Sequence, residues 1–483
     1  MKKLSILIMV LALLTGCSAA EIEDMNTDPA VSTSASANPT TDVKPVNVKM
    51  EGDITEIKLD GQSVEITEGG NYSVSGTLTD GQIIISAPKQ VVNLELAGVD
   101  ITSSKGSAIY AATAKTFNLI LKDGTVNSLT DGATRADEQA EEENAALCSD
   151  ADLTISGEGT LNITGNYKHG IKAKDTLVIS GGTINIPQAV KHGIYGNDSV
   201  TVTGGNITID VGEGKVINDG RGGLAGWGKN PTATTDDTTS DKQKGIKTDG
   251  DLTITGGTLD IKNSYEGLEG INITISGGKI DIIATDDGLN VDDRTGVLTI
   301  SGGELTIDSQ GDGLDSNGNI NMTGGTVYVS GPTMSGNGAL DHDGTFTLAG
   351  GILIAADMGG MVEAPDSSST QPSITASFAT QKAGTVISLR DSSGKILCQF
   401  APAKQFASAT FSTPDIKIGQ TYSIYAGDTK LSDIEATTVV TGGSEGGMGQ
   451  RPGGGRTKDG EVVPPGGGTV PVPSDKLPTR PRT

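Results

Sequence analysis

The sequence predicts an all-β protein built as a parallel β-helix, with coils of about 21 to 26 residues. Composition is the first observation: glycine is 69 of 483 residues and aromatic residues are only 3 %, which excludes a large aromatic core. The second is a ten-residue phrase of alternating apolar residues around a Gly-Gly pair, which returns through the middle of the chain. The third is a shorter phrase that occurs between successive copies of the ten-residue phrase. Internal repetition at this period is typical of a solenoid.

The first residues have the layout of a secretory signal. Lys2 and Lys3 precede an apolar run at residues 4–14, which is too short to span a bilayer as a mature helix. The run ends in Leu-Thr-Gly-Cys17, which resembles the lipobox of bacterial lipoproteins. The resemblance implies that residues 1–16 are a lipoprotein signal peptide and that Cys17 is lipidated. The alternative is an ordinary signal peptide with a chance cysteine.

The ten-residue phrase predicts two short strands joined at a glycine corner. In the copy at residues 252–261, apolar residues stand two and four positions before the first glycine and after the second, the period-2 burial of strands. Glycine suits the corner because it adopts positive φ without a Cβ clash. First glycines are 21 to 26 residues apart except for one interval of 52. The copies are residues 177–186, 200–209, 252–261, 273–282, 298–307 and 320–329.

The shorter phrase supplies a third strand for each coil. It consists of glycine or alanine followed by isoleucine or leucine, as in Gly267-Leu268. Three strands per repeat predict coils that stack about 4.8 Å apart and bury their apolar residues against neighbouring coils. The other copies begin at Ala108, Ala146, Gly170, Gly193, Gly245, Gly288, Gly313 and Ala339.

These patterns predict five segments. The predicted boundaries are the signal peptide at 1–16, a disordered tether at 17–46, the parallel β-helix at 47–360 with loop insertions at about 130–145 and 211–244, a C-terminal β module at 361–440, and a disordered Gly/Pro-rich tail at 441–483. The two remaining cysteines, Cys148 and Cys398, are too few and too far apart for a disulfide framework.

The chain resembles a bacterial cell-surface family, the carbohydrate-binding domain-containing lipoproteins with a polysaccharide-lyase-like β-helix. The resemblance covers about residues 50 to 440. It rests on the glycine phrases, the strings at residues 72–82 and 96–101, and the tail strings at residues 371–374 and 384–386. It implies a right-handed parallel β-helix that binds calcium and cellulose-like or acidic, pectate-like polysaccharide. Family members commonly carry Asp-Asp-Gly-Ile in the third-strand phrase, whereas here two coils have Lys-His-Gly-Ile.

Charged side chains flank the glycine of the third-strand phrase. The early coils have His169, His192 and Lys172, which we interpret as a surface ladder because no third metal ligand is in register. The later coils are acidic, and stacked carboxylates repel unless a cation neutralises them. Ca²⁺ prefers such oxygen ligands. The predicted calcium ligands are Glu266, Glu269, Asp287, Asn290, Asp312, Asp315 and Asp341. The alternative is a solvated acidic face.

Aromatic and basic residues nearby provide further candidates. We expect carbohydrate contacts from Trp227, Tyr167, Tyr195 and Tyr265. A β-helix lyase uses a lysine or arginine as the base that abstracts a proton, and Lys247 and Arg294 are weak candidates for this role. Neither lies in a specific lyase motif, so the sequence predicts no catalytic residue.

The net charge of −25 excludes nucleic acid as a partner. We therefore predict a monomeric, lipid-anchored protein on the outer side of the bacterial cell membrane, which binds polysaccharide with the help of calcium. The alternatives are a calcium-dependent uronate lyase and a structural adhesin or spacer of the cell envelope.

Overall fold

The computed structural model describes residues 48, 50–135, 142–212, 242–334 and 336–445. The predicted signal peptide and tether, the lipidation site Cys17, and Trp227 lie outside these residues. So do residues 136–141 and 213–241, within the two predicted insertions. All elements of the described part are β-strands, which confirms the predicted fold class. Within the described ranges, no helix has the length and hydrophobicity of a membrane span.

The nine third-strand phrases, together with two earlier strands, form one parallel sheet of 11 strands. Each contributes at least one apolar side chain to the core, such as Leu268, at a position where the neighbouring coils also carry leucine or isoleucine. The strands are Val64–Ile66, Ile83–Ser86, Ile109–Thr113, Ala145–Ser149, His169–Ala173, Ile194–Gly196, Lys244–Thr248, Glu266–Gly270, Leu289–Val291, Leu314–Ser316 and Leu340–His342.

The other two strands of each coil belong to a sheet of 22 strands, because several strands run through the glycine corner without a break. The strands are Ile54–Asp60, Gly70–Leu78, Val91–Thr102, Thr116–Leu121, Val126–Thr130, Asp152–Gly157, Thr160–Gly165, Thr176–Ile179, Thr183–Ala189, Ser199–Val202, Asn206–Asp210, Asp251–Ile254, Thr258–Ser264, Asn272–Ile275, Lys279–Ala284, Val297–Ile300, Glu304–Ser309, Asn319–Ser330, Phe346–Asp357, Ser373–Gln381, Phe406–Ser412 and Val440–Thr441.

The two glycines of each corner are required for different reasons. Gly303 has a φ of +82°, which the absence of a Cβ makes accessible. A Cβ on Gly302 would lie 2.2 Å from the carbonyl oxygen of Ser276 in the preceding coil. The first glycine therefore allows close stacking of the coils, and the second allows the turn.

A continuous aliphatic core fills the solenoid. Its buried residues are mostly isoleucine, leucine and valine from all three strands of each coil, with Phe117 and Phe346 as the buried phenylalanines. This agrees with the low aromatic content, because each coil buries its side chains only against the coils before and after it.

The C-terminal module covers the last coil. Phe406–Ser412 pairs antiparallel with the end of Phe346–Asp357. On its opposite edge, Phe406–Ser412 pairs antiparallel with Ser373–Gln381. Glu363 accepts a hydrogen bond from the backbone N–H of His342, so the 11-stranded sheet is capped as well. Satisfied edges prevent strand addition by another chain. The remaining strands form a four-stranded antiparallel sheet, Ile396–Phe400, Ile387–Arg390, Thr421–Ala426 and Thr429–Glu435, and a two-stranded sheet, Glu363–Ala364 and Ser444–Glu445.

Paired backbone thus continues to Glu445, five residues beyond the predicted end of the module at residue 440. The short strands at Val440–Thr441 and Ser444–Glu445 have no repeat signal in the sequence. They form because they pair with strands of the module far away along the chain.

Candidate functional site

Two rows of side chains run along the outer face of the 11-stranded sheet. We call the residues directly before each glycine the −1 row and those two positions after it the +2 row. In-register pairing places the members of a row on adjacent coils, about 4.8 Å apart. The +2 row contains Cys148, Lys172, Tyr195, Lys247, Glu269, Asn290, Asp315 and Asp341. The −1 row contains His169, His192, Lys244, Glu266, Asp287 and Asp312.

Lys244, Lys247, Glu266 and Glu269 form an ion cluster, the central ion cluster, in the middle of these rows. Lys244 Nζ lies 2.6 Å from Glu266 Oε1 and also contacts Glu269, while Lys247 pairs with the other oxygen of Glu269. Lys244, Glu266 and Glu269 are buried. Buried charges of this kind are tolerated only when they are paired.

The contacts within the cluster shift the pKa values of Glu266 and Glu269 in opposite directions. Burial raises the pKa of Glu266, and its hydrogen bond with Glu269 adds to the rise. Burial also acts to raise the pKa of Glu269, but the hydrogen bond with Glu266 and the two lysines lower it on balance. Glu269 is therefore the ionised member that holds both lysines.

Three carboxylates lie together in the following coils. Oxygens of Asp287, Asp312 and Asp315 all lie within 4.8 Å of one another, and we call this group the aspartate cluster. Asp287 Oδ1 accepts the backbone N–H of Asp312 at 2.6 Å, and Asp312 Oδ1 accepts that of Gly338 at 2.6 Å. No ion pair with lysine or arginine reaches the cluster from the residues that the structure describes. The backbone thus orients two carboxyl groups that no cationic side chain of the described residues stabilises in the ionised form.

Burial is the main reason why these carboxyls resist ionisation. It raises the pKa of Asp287 to about 9, with further increases from Asp286 and Asp315. Burial and the charge of neighbouring aspartates raise the pKa of Asp315 to about 8. Burial also raises the pKa of Asp312 to about 7, although the N–H of Gly338 opposes the rise.

The structure brings together only part of the predicted ligand set. Glu269 is turned towards the lysines, and Asn290 Nδ2 donates to Glu266 Oε2 at 3.0 Å. Glu266 groups with Asp287 and with Asp286, a residue that sequence reasoning missed. The Asp-Asp-Gly string that contains Asp286 was the available signal. Asp341 follows Asp315 in the +2 row, one coil beyond the aspartate cluster.

The predicted aromatic contacts each lie beside a cation. Tyr167 has the Arg135 guanidinium 4.7 Å from its ring centre, and Tyr265 has Lys242 Nζ at 3.8 Å. Tyr195 stacks with His169 at 4.9 Å between ring centres and has Lys172 Nζ at 5.7 Å. These rings are part of the same outer face as the charged rows.

The two weak catalytic candidates, Lys247 and Arg294, have different surroundings. Burial acts to lower the pKa of Lys247, but the hydrogen bond and charge of Glu269 raise it on balance, so this side chain is an ammonium ion at neutral pH. Arg294 is exposed in the turn after Leu289–Val291. An ammonium ion held by a carboxylate cannot accept a proton from a sugar.

We expect the melting temperature of the calcium-free protein to fall as pH rises from 7 to 9. Asp287 and Asp315 have folded pKa values of about 9 and 8, against an ordinary value of 3.8. The folded state therefore binds more protons than the unfolded chain in this window, so raising the pH favours unfolding. His169 and His192 do not interfere, because burial lowers the pKa of each below its ordinary value of 6.5, and both are largely neutral in the folded and unfolded states above pH 7. Thermal melts in chelator at several pH values test this, and a constant or rising melting temperature would contradict it.

This geometry defines the class of the protein: it is a parallel β-helix with a strip of charged side chains along one sheet. The chain belongs to the carbohydrate-binding domain-containing protein family, whose model matches residues 60–221 and 235–437. The predicted family resemblance is therefore confirmed.

A relative and a solved structure are similar to parts of the chain. A carbohydrate-binding domain-containing protein of Acetivibrio thermocellus is 36 % identical over 139 residues, which are 28 % of this chain and 49 % of the relative. The chain thus spans about half the length of that relative. A gadolinium derivative of a polysaccharide lyase-like protein from C. thermocellum is 28 % identical, with a TM-score of 0.39. The match covers 56 % of this chain and 96 % of that structure.

Proposed function

We propose that this protein binds polysaccharide on the outer face of the 11-stranded sheet, and that the aspartate cluster holds calcium there. The observation that carries the proposal is the grouping of three carboxylates within 4.8 Å, with no cationic side chain of the described residues paired to them. Membership of the carbohydrate-binding domain-containing family supports the choice of ligand.

The donor set fits calcium. All its ligand atoms are carboxylate oxygens, which a hard cation prefers, and Ca²⁺ takes six to eight oxygens in flexible geometries. Asp287 and Asp312 each use one oxygen to accept a backbone N–H, so their second oxygens and the carboxylate of Asp315 are the main ligands. Bound calcium would neutralise the cluster. Because the three aspartates cannot fill its coordination shell alone, oxygens of water or of a sugar would complete it.

Binding is better supported than eliminative cleavage. A lyase needs an uncharged base beside its substrate. The ion pair with Glu269 keeps Lys247 protonated instead. We therefore propose a binding protein.

The location of the protein is part of the proposal. We propose that Cys17 carries the lipid that anchors the chain to the outer side of the bacterial cell membrane, on the basis of its signal-peptide pattern. Cell fractionation tests this: the protein should partition with membranes, and the Cys17→Ala variant should not. An equal distribution of both proteins would contradict the anchor.

Retention on insoluble cellulose and on polygalacturonate, with and without chelator, tests the binding function. We expect chelation to weaken binding to the preferred polymer by about tenfold, or about 1.4 kcal/mol. Retention on neither polymer would favour the spacer function. Retention that chelator does not change would contradict the role of calcium but not polysaccharide binding.

A further inference from the structure

A depression with a basic lining lies on the same sheet, next to the central ion cluster, with which it shares Lys247. Its volume is about 240 Å³, and nine residues line it: four lysines, two histidines, one tyrosine, two asparagines and no carboxylate. The whole chain has a net charge of −25. Carboxylates meet this lining at its edge, where Asp249 accepts a hydrogen bond from the Tyr195 hydroxyl and Glu269 pairs with Lys247, but the lining itself is basic in an acidic chain.

A buried histidine in the lining has an unused hydrogen-bonding atom. His169 is only 4 % exposed, and its Nδ1 has no hydrogen-bond partner among the described residues. Its ring stacks on that of His192 at 4.9 Å between centres, as it does on Tyr195. Burial and the surrounding cations lower the pKa of His169, so the imidazole is neutral and carries one N–H. A buried polar atom without a partner costs free energy unless a ligand or water meets it.

Lys172 supplies charge to the depression. It is half-buried in the +2 row beside Tyr195, and within the described ranges it forms no ion pair. Lys247, the +2 residue two coils later, is instead paired with Glu269. The ammonium group of Lys172 is thus available for a ligand, while that of Lys247 is neutralised by the protein.

We propose that this depression is an anion subsite, which binds an oxyanion carried by a glycan directly and without a metal ion. The inference rests on the proposed polysaccharide-binding function and names the chemistry of a second contact. Lys172 would donate to the anion, and the Tyr195 ring would pack against the attached sugar. Charge-assisted hydrogen bonds of this kind are stronger than neutral ones.

The subsite and the aspartate cluster define a path along the solenoid axis. From Tyr195 to Asn290, the +2 residue of the Asp287 coil, there are three coil steps. At about 4.8 Å per coil this is about 14 Å. One extended glycan would then meet a direct cationic contact at one end of the strip and the aspartate cluster at the other.

Binding of charged oligosaccharides in chelator tests the subsite. The probes are a sulfated dextran oligosaccharide, an oligogalacturonate and a neutral cello-oligosaccharide, measured by calorimetry at pH 7. We expect tighter binding of at least one charged probe than of the neutral one. The Lys172→Glu variant should bind that probe at least about tenfold more weakly. The anion that binds best identifies the source as a sulfate or a carboxylate.

Lys174→Glu is the matched control, because Lys174 is an exposed lysine two residues further along the same coil. It should change affinity by less than about twofold, since screened surface charges contribute little. Equal losses in the two variants, or no binding of either charged probe in chelator, would overturn the subsite. Neither outcome depends on calcium, so the calcium-dependent function stands or fails separately. Thermal melts of both variants establish that they are folded.

Discussion

Replacing Lys244 with methionine is expected to lower the free energy of unfolding by about 3–5 kcal/mol, the usual cost of removing one partner from a buried ion pair. Lys244 is 4 % exposed and contacts both Glu266 and Glu269. Methionine keeps most of the side-chain volume but leaves the two glutamates with one lysine between them. The loss arises from the uncompensated carboxylate and not from a cavity. Urea denaturation at pH 8, where Glu266 ionises more fully, measures it.

Two further variants separate charge from packing. Lys279→Met removes a lysine that is 56 % exposed and lies 3.5 Å from Glu304, so it should cost less than about 1 kcal/mol. Adding Glu266→Gln to Lys244→Met should recover more than half of the loss, because Lys247 and Glu269 then balance each other. The interpretation fails if Lys244→Met is no more damaging than Lys279→Met.

The repeat was predictable because the sequence has two periods, that of the alternating apolar residues within a strand and that of the Gly-Gly pairs from coil to coil. Alternating apolar residues specify strands, and the Gly-Gly pairs specify corners, so the register of Glu266 against Asp287 follows from alignment alone. The antiparallel pairing of Phe406–Ser412 with the last coil was not predictable, because it occurs once and has no period. Local patterns specify repeated neighbours, whereas a cap depends on contacts distant in sequence.

The sequence was enough to predict which side chains of the candidate site lie in the same row. It was not enough to predict which of its neighbours each side chain contacts. Alignment placed Glu269 beside both Lys247 and Asn290, and the sequence favoured the metal interpretation for this residue. The structure turns its carboxylate towards the lysines. Which neighbour a flexible side chain selects depends on burial and on the full set of charges around it. Asp286 was missed for a different reason: it lies at a corner, where the direction of a side chain does not follow the period of a strand.

Replacing two carboxyls of the aspartate cluster is expected to stabilise the calcium-free protein and to abolish its stabilisation by calcium. In chelator at pH 8, the Asp287→Asn/Asp315→Asn variant should melt at a higher temperature than the wild type. At pH 8 the wild type must protonate Asp287 and part of Asp315 on folding, because their folded pKa values are about 9 and 8 against an ordinary value of 3.8, and asparagine avoids this cost. Asparagine preserves the oxygen that accepts the N–H of Asp312, so the backbone hydrogen bond is retained.

With calcium at about 100 times its Kd, the wild type should gain about 2.7 kcal/mol, whereas the variant should gain almost nothing. For a chain of this size the gain raises the melting temperature by about 3 °C. The difference in melting temperature between variant and wild type should therefore shrink by about 3 °C as calcium is added. Asp100→Asn/Asp428→Asn is the control, since both residues are exposed and far from the cluster in sequence, and it should respond to calcium as the wild type does. A variant that is less stable than the wild type in chelator, or that keeps the full calcium shift, would show that the cluster is a solvated acidic surface and not a cation site.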